Sequence, residues 1–312
     1  MHRTILASAV AFQALVFGVA VAAPPSGDTA PTSDPASHRS WQEGGWQLVE
    51  TTNFRVCAIA SEAEALGLAR SCETLRGFLC QKWLGPQCAE LVTQPWTPKC
   101  YVVVHPTATS YLAEVGPGQQ TAGSSYIEMG DNAVTTRRID LRADHPLGYR
   151  DALAHEMTHV VIAARFVERQ IPRWADEGMA VLADSALKQT AHLADLRHAH
   201  TRGQSFRLAQ LFALENYPRP DQQATFYGQS VSLAKFLVER GSAEQLVRFV
   251  ELATKSGYDT AARDVYQFEG VAALERAWLS HLTSPQSMTA HSDAPPSRST
   301  PIIGRQVAMR SR

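Results

Sequence analysis

The chain has 312 residues, a formal net charge of −1, 45% hydrophobic and 19% charged residues, with 19 Gly and 17 Pro. That length allows one large or two small domains with a real core, so neither metal nor disulfides are needed merely to hold a fold. The near-zero charge gives no basic field for nucleic acid, and the composition excludes collagen-like, coiled-coil and wholly disordered classes.

Residues 1–22 have the layout of a secretory signal peptide: His2 and Arg3, an apolar run from Ile5 to Val21, and a small-residue cleavage site at Ala20-Val21-Ala22. Export to a periplasmic or extracellular compartment is therefore expected. No later segment has the roughly 20 apolar residues of a transmembrane helix, so no stable membrane span is expected. Residues 23–45 read as a disordered linker, rich in Pro, Ser, Thr and Asp up to residue 40, and residues 285–312 as a disordered tail.

Between these ends two parts are expected. Residues 46–145 form an N-terminal α/β subdomain. Its strands are predicted at Trp46–Glu50, Phe54–Cys57, Tyr101–Val104, Ser124–Glu128 and Arg138–Leu141, from alternation or short β-branched runs. Ser61 followed by Glu64 is a capping box for a helix to about Trp83. All five cysteines (Cys57, Cys72, Cys80, Cys88 and Cys100) lie here, and in an oxidising compartment their clustering argues for disulfides. Cys72 and Cys80 should not pair with each other, because eight helical residues span roughly 12 Å. Residues 146–284 read as almost entirely helical, with breaks at Pro172, Pro218, Gly241-Ser242 and Gly270. A small mixed sheet with one or two helices, followed by a helical half, is an α+β fold.

The chemistry concentrates in His155-Glu156-Met157-Thr158-His159, set in a helix expected from about Tyr149 to Phe166. Histidines at i and i+4 share one helix face and can turn a nitrogen toward the same ion. Glu156 lies about 100° around the axis, beside such an ion, where it can accept a proton from the attacking water. A zinc ion needs a third protein donor. Glu177, 18 residues after His159, is the candidate, on a second helix starting near Pro172. Asp151, one turn before His155, is expected to brace a ligand histidine through its far nitrogen.

His155-Glu156-Met157-Thr158-His159 followed by Trp174-Ala175-Asp176-Glu177-Gly178 resembles the gluzincin division of zinc metallopeptidases in the peptidase MA clan. The resemblance covers about residues 149–187 firmly and the following helices loosely, and is not drawn over residues 24–145. It implies a zincin-like fold and a zinc-dependent hydrolase acting on a peptide or protein substrate. Carried over residue by residue, it implies His155, His159 and Glu177 as Zn2+ ligands and Glu156 as general base. The metzincin pattern fails, since position 162 is Ile and position 165 is Arg. Thermolysin-like enzymes carry an Asp four residues after the ligand Glu; here that position is Val181, and Asp184 is the substitute or else an exposed helix residue.

An oxyanion donor is also needed. Tyr227, 50 residues past Glu177 at the start of an amphipathic helix, resembles the Tyr that follows the zinc helices in many such proteins. His192, His198 and His200 are rivals, read as solvated. Trp174 and Met179 read as core. The strand near Gly123–Glu128 is a candidate edge for adding an extended peptide substrate, and Arg137-Arg138 reads as solvated, with binding of a substrate carboxylate as the lesser alternative. Two other functions use the same ligand set: a non-catalytic zinc-binding recognition module, and a hydrolase of a non-peptide amide or ester. The intact Glu156 argues against the first.

Overall fold

Two short turns with positive φ close the antiparallel hairpins of the sheet. Gly44-Gly45 (φ 58° and 84°) joins strand β1 (Arg39–Glu43) to β2 (Trp46–Glu50), and Asp131-Asn132 (φ 51° and 59°) joins β5 (Gly123–Gly130) to β6 (Ala133–Arg142). Positive φ at both central residues twists a two-residue loop to match antiparallel strands. The computed structural model describes residues 38–85, 89–117, 121–146 and 148–284, and the backbone of 306–309. The signal segment 1–22 lies outside the described residues, as do Cys88, most of the 23–45 linker and most of the 285–312 tail.

Strand β3 (Phe54–Ala58) pairs antiparallel with β2, and helix α1 (Glu62–Leu84) then crosses to β4 (Cys100–His105), which lies parallel to β3 and to β6. Ser61 Oγ accepts from the Glu64 amide at 3.3 Å and Glu64 Oε2 from the Ser61 amide at 2.9 Å, so the capping box starts α1 as expected. The mixed sheet runs β1-β2-β3-β4-β6-β5-β7, where β7 (Gln306–Met309) lies parallel to β5 along Tyr126–Met129. Two segments expected to be disordered are therefore strands. Arg39–Glu43 and Gln306–Met309 are specified by pairing with an existing edge, and linker composition does not report such pairing. Short helices α2 (Ala89–Thr93) and α3 (Ala108–Val115), not expected from the sequence, flank β4.

The inner face of the sheet carries Phe54, Val56, Cys100, Val102, Ile139 and Leu141, all fully buried against α1 and α4 (Arg150–Ala163). Helix α4 is buried on nearly every side, from Ala152 to Ala163, which places it in the middle of the molecule. The helices α5 (Arg173–Val181), α6 (Ala186–Thr201), α7 (Leu208–Phe212), α8 (Gln223–Arg240), α9 (Ala243–Ser256), α10 (Tyr258–Tyr266) and α11 (Val271–Leu282) follow. One apolar core runs through both halves, and the fold is α+β. Among the described residues no helix is long and apolar enough to cross a membrane.

The four described cysteines are free thiols, contrary to the disulfides expected. The alternation of β3 turns Cys57 away from the inner face where Cys100 is buried, and Cys72 and Cys80 are separated along α1. Burial pushes the Cys57 thiol up to about 11 and raises Cys72 and Cys80 as well, so none is a ready nucleophile.

Candidate metal centre

Helix α4 presents His155 and His159 one turn apart, their ring centroids separated by 5.0 Å and their planes crossed at 76°. Helix α5 brings Glu177 against both: its Oε2 lies 3.5 Å from His155 Nε2 and 3.9 Å from His159 Nε2. His159 is 2% and Glu177 1% exposed. The three donor atoms fall within 4.8 Å of one another. Tetrahedral ligands at about 2.0–2.1 Å from one ion stand roughly 3.3 Å apart, so these spacings suit a shared cation.

The hydrogen bonding supports the same reading. Glu177 Oε2 is buried without a hydrogen-bond partner, while Oε1 accepts from the Tyr217 hydroxyl. An orphaned carboxylate oxygen at this depth is costly unless something positive meets it. Each histidine turns its other nitrogen to an acid: His155 Nδ1 meets Asp184 Oδ2 at 3.1 Å, and His159 Nδ1 meets Asp176 Oδ1 at 2.7 Å. These contacts set the ring orientation so that both Nε2 atoms face Glu177. The expected brace, Asp151, is not the residue in that position. Asp184 takes it, in the junction after α5, buried and also within 3.4 Å of Lys188 Nζ.

The charges are mutually dependent. Burial opposes ionisation of Glu177, but the two imidazoles outweigh it and hold the carboxyl below the usual carboxylate range. Burial likewise pushes the His155 imidazole down, yet Asp184 and Glu177 win and hold it well above its ordinary value.

Close backbone approach positions Glu177 and Glu156. A Cβ on Gly178, the residue after Glu177, would lie 2.5 Å from the Ser230 carbonyl oxygen, so glycine there lets α5 lie directly on α8. A Cβ on Gly123 would lie 3.1 Å from Glu156 Cγ and 3.0 Å from Ala152 Cβ, so the first residue of β5 abuts Glu156. On the side of β5 away from β6, Gly123–Ser125 has no strand partner among the described residues.

Tyr227, at the start of α8, is buried beside the cluster, stacked 6.3 Å from Tyr217 and 5.7 Å from His192. Burial first, then Glu177, Tyr217 and Glu156, push its hydroxyl well above its ordinary value, so it remains a phenol able to donate. Sequence reasoning missed Tyr217 and Asp176. Tyr217 sits in the loop before α8, where no periodicity marks a direction. His192 was read as solvated, but it packs against Tyr227 and has a buried Nδ1 without a hydrogen-bond partner. His198 is exposed and His200 meets Ser205 Oγ at 3.3 Å. Trp174 and Met179 are core, as read.

The model of the Peptidase MA superfamily matches residues 117–284, more than half of the chain. The chain belongs to the Peptidase MA superfamily, a group of peptidase-like enzymes that generally depend on a metal. The match reaches back beyond residue 146 to include β5 and β6, which the sequence resemblance had left out; these strands pack on α4, and β5 abuts Glu156. No curated protein matches the chain.

Proposed function

We propose that the protein is an exported zinc-dependent peptidase of gluzincin type, with His155, His159 and Glu177 as metal ligands and Glu156 as general base. The observation that carries this reading is the orphaned, buried Oε2 of Glu177 facing two imidazole Nε2 atoms. The signal-like segment 1–22 supports export.

His155, His159 and Glu177 would hold the zinc, which would supply Lewis acidity toward the scissile carbonyl and would lower the pKa of the attacking water toward about 7. Glu156, one residue after His155, accepts the water proton and delivers it to the leaving amine. Asp184 and Asp176 keep the imidazoles oriented. Tyr227 donates its hydroxyl proton in a hydrogen bond to the oxyanion that forms on the carbonyl. The Gly123–Ser125 edge, which has no strand partner among the described residues and lies beside Glu156, supports main-chain pairing with an extended peptide.

Metal analysis of purified protein, paired with a peptide-library digest, tests the proposal. About one zinc per chain and cleavage abolished in Glu156→Gln are expected. Protein that retains no metal overturns the ligand assignment, and undiminished cleavage by Glu156→Gln overturns the role of the base.

A further inference from the structure

Arg137 reads as solvated from the sequence, yet it is 7% exposed. It projects from β6 on the same face as Ile139 and Leu141, toward α1 and the segment before β4. Its Nη1 donates to the Pro98 carbonyl at 2.9 Å, and its Nε is buried without an acceptor. The guanidinium carbon lies 5.0 Å from the centre of the Trp96 indole, and that of Arg76 lies 4.8 Å from the same ring. Two cations thus share one aromatic surface.

No described carboxylate pairs with Arg137. Its neighbour Arg138 takes both acids within reach, Asp140 at 2.8 Å and Glu114 at 2.9 Å. The Cys100 thiol stands near Arg137, but burial raises it far above its ordinary value and leaves it neutral. Burial, and to a lesser extent Arg76, pull the Arg137 guanidinium down to about 10. A buried cation with no counter-charge is among the costliest arrangements in a protein interior.

Arg137 also lines a cavity of about 520 Å³, whose walls include Leu91, Pro95, Trp96, Val134 and Val167. That volume lies within the range of about 300–1,000 Å³ typical of small-molecule sites. The cavity is separate from the metal centre. Arg137 pairs with Ile127, whereas Gly123, beside Glu156, pairs with Leu141, four residues or about 13 Å further along β6.

We infer that this cavity binds a small carboxylic acid with an apolar body. With Nη1 held by the Pro98 carbonyl, the Arg137 guanidinium offers a fixed positive charge to a carboxylate, and the apolar walls receive the hydrocarbon part. Glu90 also lines the cavity and is unpaired with Arg137; its charge opposes the ligand, so Glu90→Gln tightens binding.

The probe is 3-phenylpropionate, titrated calorimetrically into the full-length protein at low salt, with 3-phenylpropanol and inorganic phosphate as comparisons. The acid should bind at least tenfold more tightly than the alcohol or phosphate. Arg137→Gln should weaken it tenfold or more, and Ala164→Phe, which places a ring in the cavity while leaving Arg137 intact, should do the same. Protein stripped of metal by dialysis against a chelator should bind the acid unchanged. The inference is overturned by phosphate binding as tightly as the acid, by equal affinities in wild type and Ala164→Phe, or by loss of binding on stripping.

Discussion

Asp184 Oδ2 lies 3.1 Å from His155 Nδ1, although the two residues are 29 positions apart and belong to different elements. An acid at this position holds the imidazole in one tautomer and increases its strength as a ligand. Asp184→Asn should lower metal affinity by about 10- to 100-fold while the far-ultraviolet circular dichroism stays unchanged. Competition against a chromophoric chelator measures the effect, and an unchanged affinity would refute the bracing role.

Tyr217 and Tyr227 stack on each other but should separate functionally. Tyr217 engages Glu177 Oε1 and leaves Oε2 for the proposed cation. Tyr217→Phe should therefore weaken metal binding roughly tenfold. Tyr227→Phe should leave metal content intact and lower kcat by about 10²-fold through loss of an oxyanion donor. Parallel metal titrations and steady-state kinetics on the two variants distinguish these outcomes.

Gly178 is a packing requirement. In Gly178→Ala the added carbon would meet the Ser230 carbonyl oxygen at 2.5 Å and Ala234 Cβ at 3.0 Å, and backbone cannot swing aside as a flexible side chain can. Forcing α5 off α8 should cost about 1–3 kcal/mol of stability. Denaturant unfolding should show a lower midpoint at an unchanged slope.

Acid sensitivity should come in part from His192. Burial pulls its pKa down from 6.5 to about 4, so the folded chain refuses a proton that the unfolded chain accepts. Its contribution is fully present above about pH 6.5 and is lost as pH falls toward 4, amounting to about 3 kcal/mol. His192→Phe keeps an aromatic ring against Tyr227 and should flatten stability across that window. Urea unfolding at intervals between pH 4 and pH 7 tests this, and an unaltered slope in the variant would refute it.

Periodicity and local chemistry made much of the molecule legible in the sequence. The Ser61–Glu64 box, the spacing of His155 and His159, and the placement of Glu177 on the next helix all depend on residues close in the chain. Non-local pairing was harder to read. Arg39–Glu43 is polar and adjoins a Pro-rich stretch, and only the partner β2 makes it a strand. Asp184 was ambiguous because it was placed two turns along a helix that in fact ends at Val181; the chain turns there and directs the carboxylate at His155. Strand alternation sends Arg137 and Arg138 to opposite faces, so one paired sequence reading could not serve both.

The two histidines share α4, whereas the third donor comes from α5 and one brace from the turn beyond it. A chain with α4 formed and α5 undocked offers only two of the three candidate donors, so firm capture of the proposed ion would have to follow tertiary assembly. If the chain crosses a membrane before α5 docks on α4, loading of the proposed metal would take place only at the destination.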